Sequence, residues 1–468
     1  MNPRSFSFLF VLIGIFTASA AAEFRAGAAK ADITPELGVL LDGTISQNGP
    51  ATKIHDRLYA RCLVLDDGEA KLAFAIVDNT MISGSIIDEA KRLIEEQTGI
   101  PGSNVIIAAT HSHSTPRAVV GLVDDQSHRD YLDSLAVSIA SGVRSAVERL
   151  EPAEIGWGSG EEARYVHCRR WLVEGAEKQP NPFGETGERV RMNPGRTGLI
   201  KPAGPVDPEV FICSVRNAKG EPLALLANYG LHYVGGTGRG QISADYFGAF
   251  AVRIQQLLGA EDTFVGIMSN GTSGDVNAND LTQPRQKSEP YERIELIAGH
   301  LADEAKRVYE SIEHSREVRL GAVETVLELE VRKPDADRLA WARETAAPPN
   351  AKLRLTRPQV YAREAVALAD FPKTAEVRIQ AFRIGELAVT AIPNEVFAET
   401  GLAIKSGSPF SATFAIELAN GYHGYLPTPE QHKLGGYETW PARSAYLETE
   451  AESKIRAAAL ELLKQLRD

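Results

Sequence analysis

Three stretches of this chain repeat one pattern, in which an apolar strand, an amphipathic helix and a second apolar strand follow one another. They run from Leu72 to Ala109, from Leu223 to Met268 and from Leu387 to Leu418. A connection of this kind crosses over right-handed and lays its second strand parallel to the first. The pattern therefore predicts an α/β protein with mixed β-sheets flanked by helices.

Polar side chains that can bind a metal follow strands of all three stretches. They are His111, His232, Glu395 and Tyr425. Open α/β sheets bind ligands at the carboxyl ends of their strands, so residues far apart in sequence can meet there. Two imidazoles and a carboxylate form a common catalytic zinc set that leaves one position for water. We therefore expect a metal site, although each residue taken alone is more typical of a hydrogen-bonded loop.

A second histidine, His113, lies two residues after His111 at the end of the apolar strand from Val105 to Ala109. Residues spaced by two lie on the same face of a strand, so both imidazoles can point into one site. Both could bind one metal, or one could bind the metal while the other contacts the substrate or supports a ligand. The spacing does not decide between these alternatives.

Residues 1–22 have the composition of an export signal. Arg4 gives a basic start, Phe6 to Phe16 form an apolar run, and Ala18-Ser19-Ala20 form a small-residue cleavage site. The apolar run is too short to span a bilayer comfortably. We therefore expect a secreted or periplasmic protein with no stable membrane span after removal of the signal, and residues 23–468 as its mature domain.

Composition narrows the choice of partners and of metal ligands. The net charge is −12, and an acidic chain is a poor match for nucleic acid or an anionic membrane surface. The three cysteines, Cys62, Cys168 and Cys213, are widely spaced and include no Cys-x-x-Cys. They give no disulfide framework, permit one bridge at most, and exclude a thiolate zinc site. Any metal ligands must be histidine, carboxylate or phenolate groups.

Several short segments resemble the neutral ceramidase family, a family of zinc-dependent amidases. Thr110–Pro116 reads Thr-His-Ser-His-Ser-Thr-Pro and is similar to that family's Thr-His-Thr-His-Ser-Gly-Pro. Asn228–His232 is similar to its Asn-Trp-Phe-Ala-Val-His, Pro393–Glu395 to its Pro-Gly-Glu, and Asn420–Thr428 to its Asn-Val-Tyr-Thr-His-Tyr-Ile-Thr-Thr. The resemblance extends patchily over residues 24 to 450 and implies a neutral-ceramidase-like catalytic domain.

The resemblance implies a role for each residue of the expected site. Zinc would be bound by His111, His232, Glu395 and Tyr425. Tyr437 matches a second family tyrosine that helps to polarise the amide carbonyl, and Arg169 matches a substrate-side arginine. His113 is then the best candidate to pass a proton to the leaving amine. Zinc lowers the pKa of a bound water to roughly 7, so we expect this water to attack an N-acyl amide or ceramide-like lipid.

Two departures from the family affect the expected activity. The family's Gly-Asp-Val-Ser-Pro-Asn, whose serine is essential to activity, reads Gly274-Asp275-Val276-Asn277-Ala278-Asn279 here. Asn277 cannot act as a nucleophile, but it can orient a carbonyl or a water through hydrogen bonds. The chain ends with a predicted helix from Glu448 to Leu466, so we expect no counterpart of the family's C-terminal immunoglobulin-like domain.

Three functions follow from these observations. The four-ligand set favours an amidase that uses a zinc-activated water, and an esterase on the same scaffold is the nearest alternative. Asn277 favours a non-catalytic exported binding protein that has kept the fold. The composition from Gly175 to Gly204, rich in Pro, Gly and Glu, predicts a loop that is long enough to be a substrate-side lid rather than a simple connection.

Overall fold

The computed structural model describes residues 23–41, 49–120, 125–285, 287–346 and 355–468. The predicted export signal, residues 1–22, lies outside these described residues. Within the described ranges, no helix is both long enough and apolar enough to cross a membrane. Cys62, Cys168 and Cys213 are buried free thiols, so they form no disulfide bond with one another.

The described residues form a mixed α/β structure with many short strands. The strands are β1 Arg25–Asp32, β2 Lys53–Ile54, β3 Tyr59–Asp66, β4 Lys71–Val77, β5 Val105–Ala109, β6 Glu151–Glu161, β7 His167–Cys168, β8 Arg170–Val173, β9 Val190–Met192, β10 Leu199–Pro202, β11 Glu209–Asn217, β12 Pro222–Tyr229, β13 Gln241–Ile242, β14 Val265–Asn270, β15 Val276–Asn277, β16 Leu320–Glu330, β17 Thr374–Ile384, β18 Leu387–Ala391, β19 Glu395–Val396, β20 Ala412–Ile416 and β21 Tyr425–Leu426. The helices are α1 Gly84–Thr98, α2 Gln126–Glu148, α3 Asp245–Leu258, α4 Glu292–Tyr309, α5 Ala336–Thr345, α6 Arg357–Ala369, α7 Ala398–Gly407, α8 Pro429–Leu434 and α9 Ala451–Arg467.

The three predicted strand–helix–strand units are present, and each closes a parallel strand pair. They are β4–α1–β5, β12–α3–β14 and β18–α7–β20. The remaining pairs in the two main sheets are antiparallel, so the prediction of mixed sheets is confirmed. The helices of the units form because their apolar residues recur on one face; in α1, Ile87, Ala90 and Ile94 are buried together.

The first two units occupy opposite edges of one eight-stranded sheet. Its strand order is β14-β12-β11-β6-β1-β3-β4-β5, with the second unit at one edge and the first at the other. Residues of the two edge strands, β14 and β5, nevertheless contact each other. The sheet therefore curls back on itself until β14 lies over β3, β4 and β5, and the carboxyl ends of β5 and β12 come close together.

A four-stranded sheet, β16-β17-β18-β20, packs against the eight-stranded sheet and contributes the third unit. The apolar layer between the two sheets includes Phe74, Phe211, Phe382 and Phe414. The outer faces are covered by helices: α1 and α2 pack on the first unit, α3 and α4 on the second, and α9 on the four-stranded sheet. The carboxyl ends of the parallel strands in all three units thus lie in one region.

The segment from Gly175 to Gly204 is not the long loop that its composition predicts. It contributes β9 and β10, which flank β8 in a small antiparallel sheet of order β10-β8-β9. Apart from Pro202, which ends β10, the Gly and Pro residues lie outside these strands, and they hid the short strands from sequence reasoning. The proposed lid function of this segment stays a prediction.

Candidate metal and catalytic site

His111 follows β5 and holds an unusual backbone conformation. Its φ of 74° lies in the left-handed region, which residues other than glycine rarely adopt. The backbone N–H of His111 donates to Asn79 O at 2.8 Å, and its Nδ1–H donates to Thr80 O at 2.7 Å. Because a carbonyl can only accept, Nδ1 carries a hydrogen, which leaves a lone pair on Nε2 whenever the ring is neutral.

His232, which follows β12, is fixed in the same way. Its Nδ1–H donates to Ser273 O at 3.1 Å, so its Nε2 also carries a lone pair. The Nε2 atoms of His111 and His232 are 3.0 Å apart, and both side chains are buried. Two lone pairs at this distance repel each other unless they share a cation or a proton. Metal-binding histidines have this arrangement, with the other ring nitrogen bonded to the backbone.

Glu395 and His113 complete the group of converging donor atoms. Glu395 Oε2 lies 3.4 Å from His111 Nε2 and 3.8 Å from His232 Nε2, and no described residue donates a hydrogen bond to it. His113 Nε2 lies 3.2 Å from His111 Nε2, and its ring stacks on Tyr233 with centroids 3.6 Å apart. The ligand atoms of the three histidines all lie within 4.8 Å of one another. This donor set fits a metal ion.

The structure brings the His113 ring nearly as close to His111 as the His232 ring. Its Nε2 atom lies 3.2 Å from that of His111, against 3.0 Å for the Nε2 atom of His232. The division of roles implied by the family resemblance, with His111 as ligand and His113 as proton carrier, therefore stays a prediction.

Electrostatic interactions shift the pKa values of the clustered groups in different directions. Burial lowers the pKa of His232, and the positive charges of His111 and Arg169 lower it further, so this ring is neutral. Burial raises the pKa of Glu395, but His111 and Arg169 lower it by more, so the carboxyl is ionised. Burial also lowers the pKa of His111, yet Glu395 raises it by more, and the net shift is upward. A neutral imidazole and an ionised carboxylate are the forms that bind zinc.

Tyr425 lies directly opposite Glu395 in the parallel pair formed by β19 and β21. The centroid of its ring lies 5.2 Å from Arg169 Cζ and 5.7 Å from the ring centroid of Tyr437. Burial raises the pKa of Tyr425, so its phenol keeps its proton when no metal is bound. All four predicted ligands are thus brought to one region, and their binding of a metal stays a prediction.

Arg169 reaches the cluster from the residue before β8. Its Nη1 lies 3.2 Å from His232 Nε2, and its Nε donates to Glu438 Oε1 at 2.9 Å. Burial lowers the pKa of Arg169, but Tyr425 and Glu438 raise it by more, so the guanidinium stays charged. Burial raises the pKa of Tyr437, which therefore keeps its phenolic proton. Both residues have hydrogens to donate beside the cluster.

The backbone of Asn277 pairs with the segment that precedes Arg169, but the Asn277 side chain already has hydrogen-bond partners. It belongs to β15, where it pairs with His167 of β7. Its Nδ2 donates to Asn193 Oδ1 at 2.5 Å, and its Oδ1 accepts from the N–H of Asn279 at 2.9 Å. These bonds leave one amide hydrogen for another partner, so the expected role of Asn277 in orienting a carbonyl or water stays a prediction.

Sequence reasoning missed several buried or partly buried polar residues that support the site. Tyr422 donates to Glu395 Oε1 at 2.9 Å, and Glu438 accepts from both Arg169 and Arg170. Glu417 accepts hydrogen bonds from the N–H of Ser273, whose carbonyl contacts His232, and from the N–H of Val396, which follows Glu395. A signal for Glu417 was present, because it directly follows the apolar strand β20, just as the predicted ligands follow theirs.

The comparison with protein families agrees with this geometry. The family model described as neutral/alkaline non-lysosomal ceramidase, N-terminal, matches residues 24–291, which is more than half of the chain. The chain belongs to this ceramidase family. The resemblance inferred from the short motifs is therefore confirmed, although Glu395 and Tyr425 lie beyond the matched residues.

Individual relatives of the ceramidase family show the same relationship. The neutral ceramidase of Pseudomonas aeruginosa is 26% identical over 270 residues, which make up 55% of this chain and 37% of that protein. The match thus spans little more than a third of that relative. The crystal structure of neutral ceramidase from Pseudomonas aeruginosa has a TM-score of 0.72 at 19% identity, covering 96% of this chain and 75% of the other. A structure described as ceramidase complexed with C2 gives 0.72 at 18% identity, covering 95% and 75%. Both confirm the predicted fold class.

Proposed function

We propose that this ceramidase family member is a zinc-dependent hydrolase that cleaves the amide bond of an N-acyl amide or ceramide-like lipid. The observation that carries the proposal is the convergence of three imidazole nitrogens and the Glu395 carboxylate, with Arg169 beside them; of these residues only His113 is partly rather than fully buried. Family membership supports a lipid amide as the substrate. Zinc is the proposed metal because imidazole nitrogens and a carboxylate oxygen are its usual ligands at catalytic sites.

Four residues would hold the zinc ion, as the family resemblance implies: His111, His232, Glu395 and Tyr425. The fit rests on the two facing imidazole lone pairs and on Glu395 Oε2, which no described residue satisfies with a hydrogen bond. Zinc bound by such a set supplies Lewis acidity and activates water at neutral pH. The ionised Glu395 partly balances the charge of the metal.

Arg169 and Tyr437 are proposed to stabilise the negative charge that develops on the acyl oxygen. Arg169 Nη2 is buried and has no acceptor among the described residues, so it is available to a substrate oxygen. Glu438 accepts from Arg169 Nε and fixes the plane of the guanidinium group. Donors that are already in place before reaction stabilise a transition state most effectively, because they need no reorganisation.

His113 is proposed to deliver the proton that the leaving nitrogen requires. Hydrolysis forms a carbon–oxygen bond from water while the carbon–nitrogen bond breaks, and the departing amine takes up one proton. Tyr233 stacks on the His113 ring and holds it beside the cluster. An imidazole has a pKa close to neutrality and can both accept and release this proton.

The test combines metal analysis with turnover. Purified protein, either loaded with zinc or stripped by a chelator, is incubated with short- and long-chain N-acyl amides and with the matching esters. We expect amide cleavage that is lost on stripping and restored by zinc. Cleavage of esters alone would identify an esterase. A zinc-loaded protein that binds an N-acyl amide without turnover would identify the binding protein that Asn277 favours.

We also propose that the protein is secreted or periplasmic. The support is the order of basic, apolar and small residues in the first 22 positions. When the full chain is expressed in a bacterial host, N-terminal sequencing of the exported protein should begin between Ala21 and Glu23. Protein that stays in the cytoplasm with its first residues intact would contradict this proposal.

A further inference from the structure

Glu417 is fully buried at the end of β20, and its carboxyl group accepts four hydrogen bonds. Asn270 Nδ2 and Ser273 Oγ donate to its Oε1 at 2.9 and 2.6 Å. The backbone N–H groups of Ser273 and Val396 donate to its Oε2 at 3.2 and 2.7 Å. Asn270 ends β14 in the eight-stranded sheet, whereas Val396 belongs to β19 after the four-stranded sheet. Glu417 therefore ties the second strand–helix–strand unit to the third.

Two of these partners lead directly to predicted metal ligands. Ser273 O accepts from His232 Nδ1–H at 3.1 Å, and this bond sets the direction of His232 Nε2. The N–H of Val396 belongs to the peptide bond that follows Glu395. The two segments approach closely here, because a Cβ added to Gly274 would lie 2.4 Å from Glu395 O. One carboxylate thus fixes the backbone behind both ligands.

We infer that Glu417 is a positioning residue for the metal centre, which holds His232 and Glu395 in register without contacting metal or substrate. The inference rests on the proposed function, because it assumes that these two residues bind the zinc ion. Partners in the outer shell of a metal site orient its ligands, and their loss typically weakens metal binding 10- to 100-fold.

The hydrogen-bond pattern explains why a carboxylate occupies this position. Three of its four partner groups are N–H donors, divided between the two oxygens. Glutamine offers one oxygen and would turn its NH₂ group toward at least one of these N–H groups. Alanine would leave all the donors without their acceptor. The expected order of zinc affinity is therefore wild type, then Glu417→Gln, then Glu417→Ala.

The experiment measures zinc affinity by competition with a chelator and records the visible spectrum of the cobalt-substituted protein. We expect Glu417→Gln to bind zinc roughly 10-fold more weakly, and Glu417→Ala roughly 100-fold more weakly, than the wild type. The cobalt spectrum should change in both variants, because the ligands lose their fixed geometry. If Glu417→Ala does not fold, Glu417→Gln decides the question alone.

Glu452 provides the matched control. It is also a buried carboxylate, and it accepts from Thr400 Oγ1 at 3.0 Å and Arg456 Nε at 2.8 Å, in the contact between α7 and α9. Glu452→Gln should lower thermal stability as the Glu417 variants do. Its zinc affinity and cobalt spectrum should match those of the wild type, because Glu452 supports no ligand.

The possible outcomes separate this inference from the proposed function. If the wild type binds zinc and Glu417→Gln binds it equally well with an unchanged spectrum, the positioning role is wrong and the proposed function stands. If Glu452→Gln loses as much zinc affinity as Glu417→Gln, general destabilisation explains the effect and the inference is again wrong. A wild type that binds no zinc contradicts both.

Discussion

Glu395 lies directly opposite Tyr425 in the parallel pair of β19 and β21, thirty residues apart in the chain. The two side chains therefore share one backbone support, and a change in one strand displaces both. The other predicted ligands, His111 and His232, are held separately by Thr80 and Ser273 carbonyl oxygens. The site thus has three backbone supports, and Glu417 links the support of His232 to that of Glu395.

The first prediction concerns the stoichiometry and ligands of the metal. Purified wild type should contain about one zinc per chain. His232→Ala and Glu395→Ala should lower occupancy sharply, whereas Tyr425→Phe keeps the ring and removes only the phenolic oxygen, so it should weaken binding less. Metal analysis after dialysis against zinc measures this. Wild-type protein that stays metal-free after refolding with zinc would show that the site is misassigned.

The second prediction separates the two histidines after β5. His111→Ala should lose the metal, because the family resemblance makes His111 a ligand. His113→Ala should keep the metal and lose most of its turnover, because proton transfer typically contributes about 10²–10⁴-fold to a rate. Zinc content and kcat are measured on the same samples. Equal loss of zinc in both variants would make both histidines ligands.

The third prediction concerns Asn277, which stands where the family has serine. If activated water is the nucleophile, wild type hydrolyses an amide and Asn277→Ala costs about 2.7–4 kcal/mol of transition-state stabilisation, as when one oxyanion donor is removed. Asn277→Ala would also break the bond to Asn193, so Asn193→Ala serves as the control for lost packing.

The contrasting outcome for Asn277 is equally specific. A fully zinc-loaded wild type that is inert, and that becomes active on ceramide through Asn277→Ser, would identify this position as a nucleophile in this scaffold. Zinc content has to be equal in wild type, Asn277→Ala and Asn277→Ser for the comparison to hold.

The fourth prediction concerns the pH dependence of stability. Burial raises the pKa of Asp56 to about 7, although hydrogen bonds from Ala244 N and Ser243 Oγ oppose this shift. Between its ordinary pKa of 3.8 and about 7, the folded state holds a proton that the unfolded chain has released. The free energy of unfolding therefore falls as pH rises through this window and levels off above it.

Asp56→Asn removes the titrating carboxyl group, and with it this part of the pH dependence of stability. Denaturant unfolding at several pH values should show that the wild type loses stability relative to Asp56→Asn by up to about 1.4 kcal/mol per pH unit inside the window. Other buried acids with raised pKa values, such as Asp275, are present in both proteins and cancel in the comparison. Parallel curves for the two proteins would contradict the prediction.

The sequence predicted the local units of the fold because their signals are local. The apolar strand β5, the amphipathic helix α1 and the polar residues that follow each strand can be read within a few residues. The same reasoning could not place β5 and β14 in contact, because they are opposite edges of one sheet and meet only through its curvature. The convergence of His111 and His232 was therefore an expectation from topology, and their 3.0 Å separation is a property of tertiary structure.

The supporting residues were harder to predict than the ligands. A single glutamate such as Glu438 looks like a surface residue in sequence, and only its burial and its donors reveal its role. Glu417 directly follows an apolar strand, but its four donors come from distant segments and are visible only in the structure. The segment from Gly175 to Gly204 was misread because its Gly and Pro residues mask β9 and β10, whose pairing depends on β8. Short strands of this kind are specified by their partners more than by their own composition.

The meeting of β5 and β14 has a consequence for the order of folding. His111 and His232 come from the two edges of a sheet, so their imidazoles face each other only after the sheet has curled. Glu395 and Tyr425 are synthesised later and join through contacts that are distant in sequence, which form slowly. The centre is therefore absent from an emerging chain. In the proposed zinc enzyme, the ion would therefore bind only after the chain has folded.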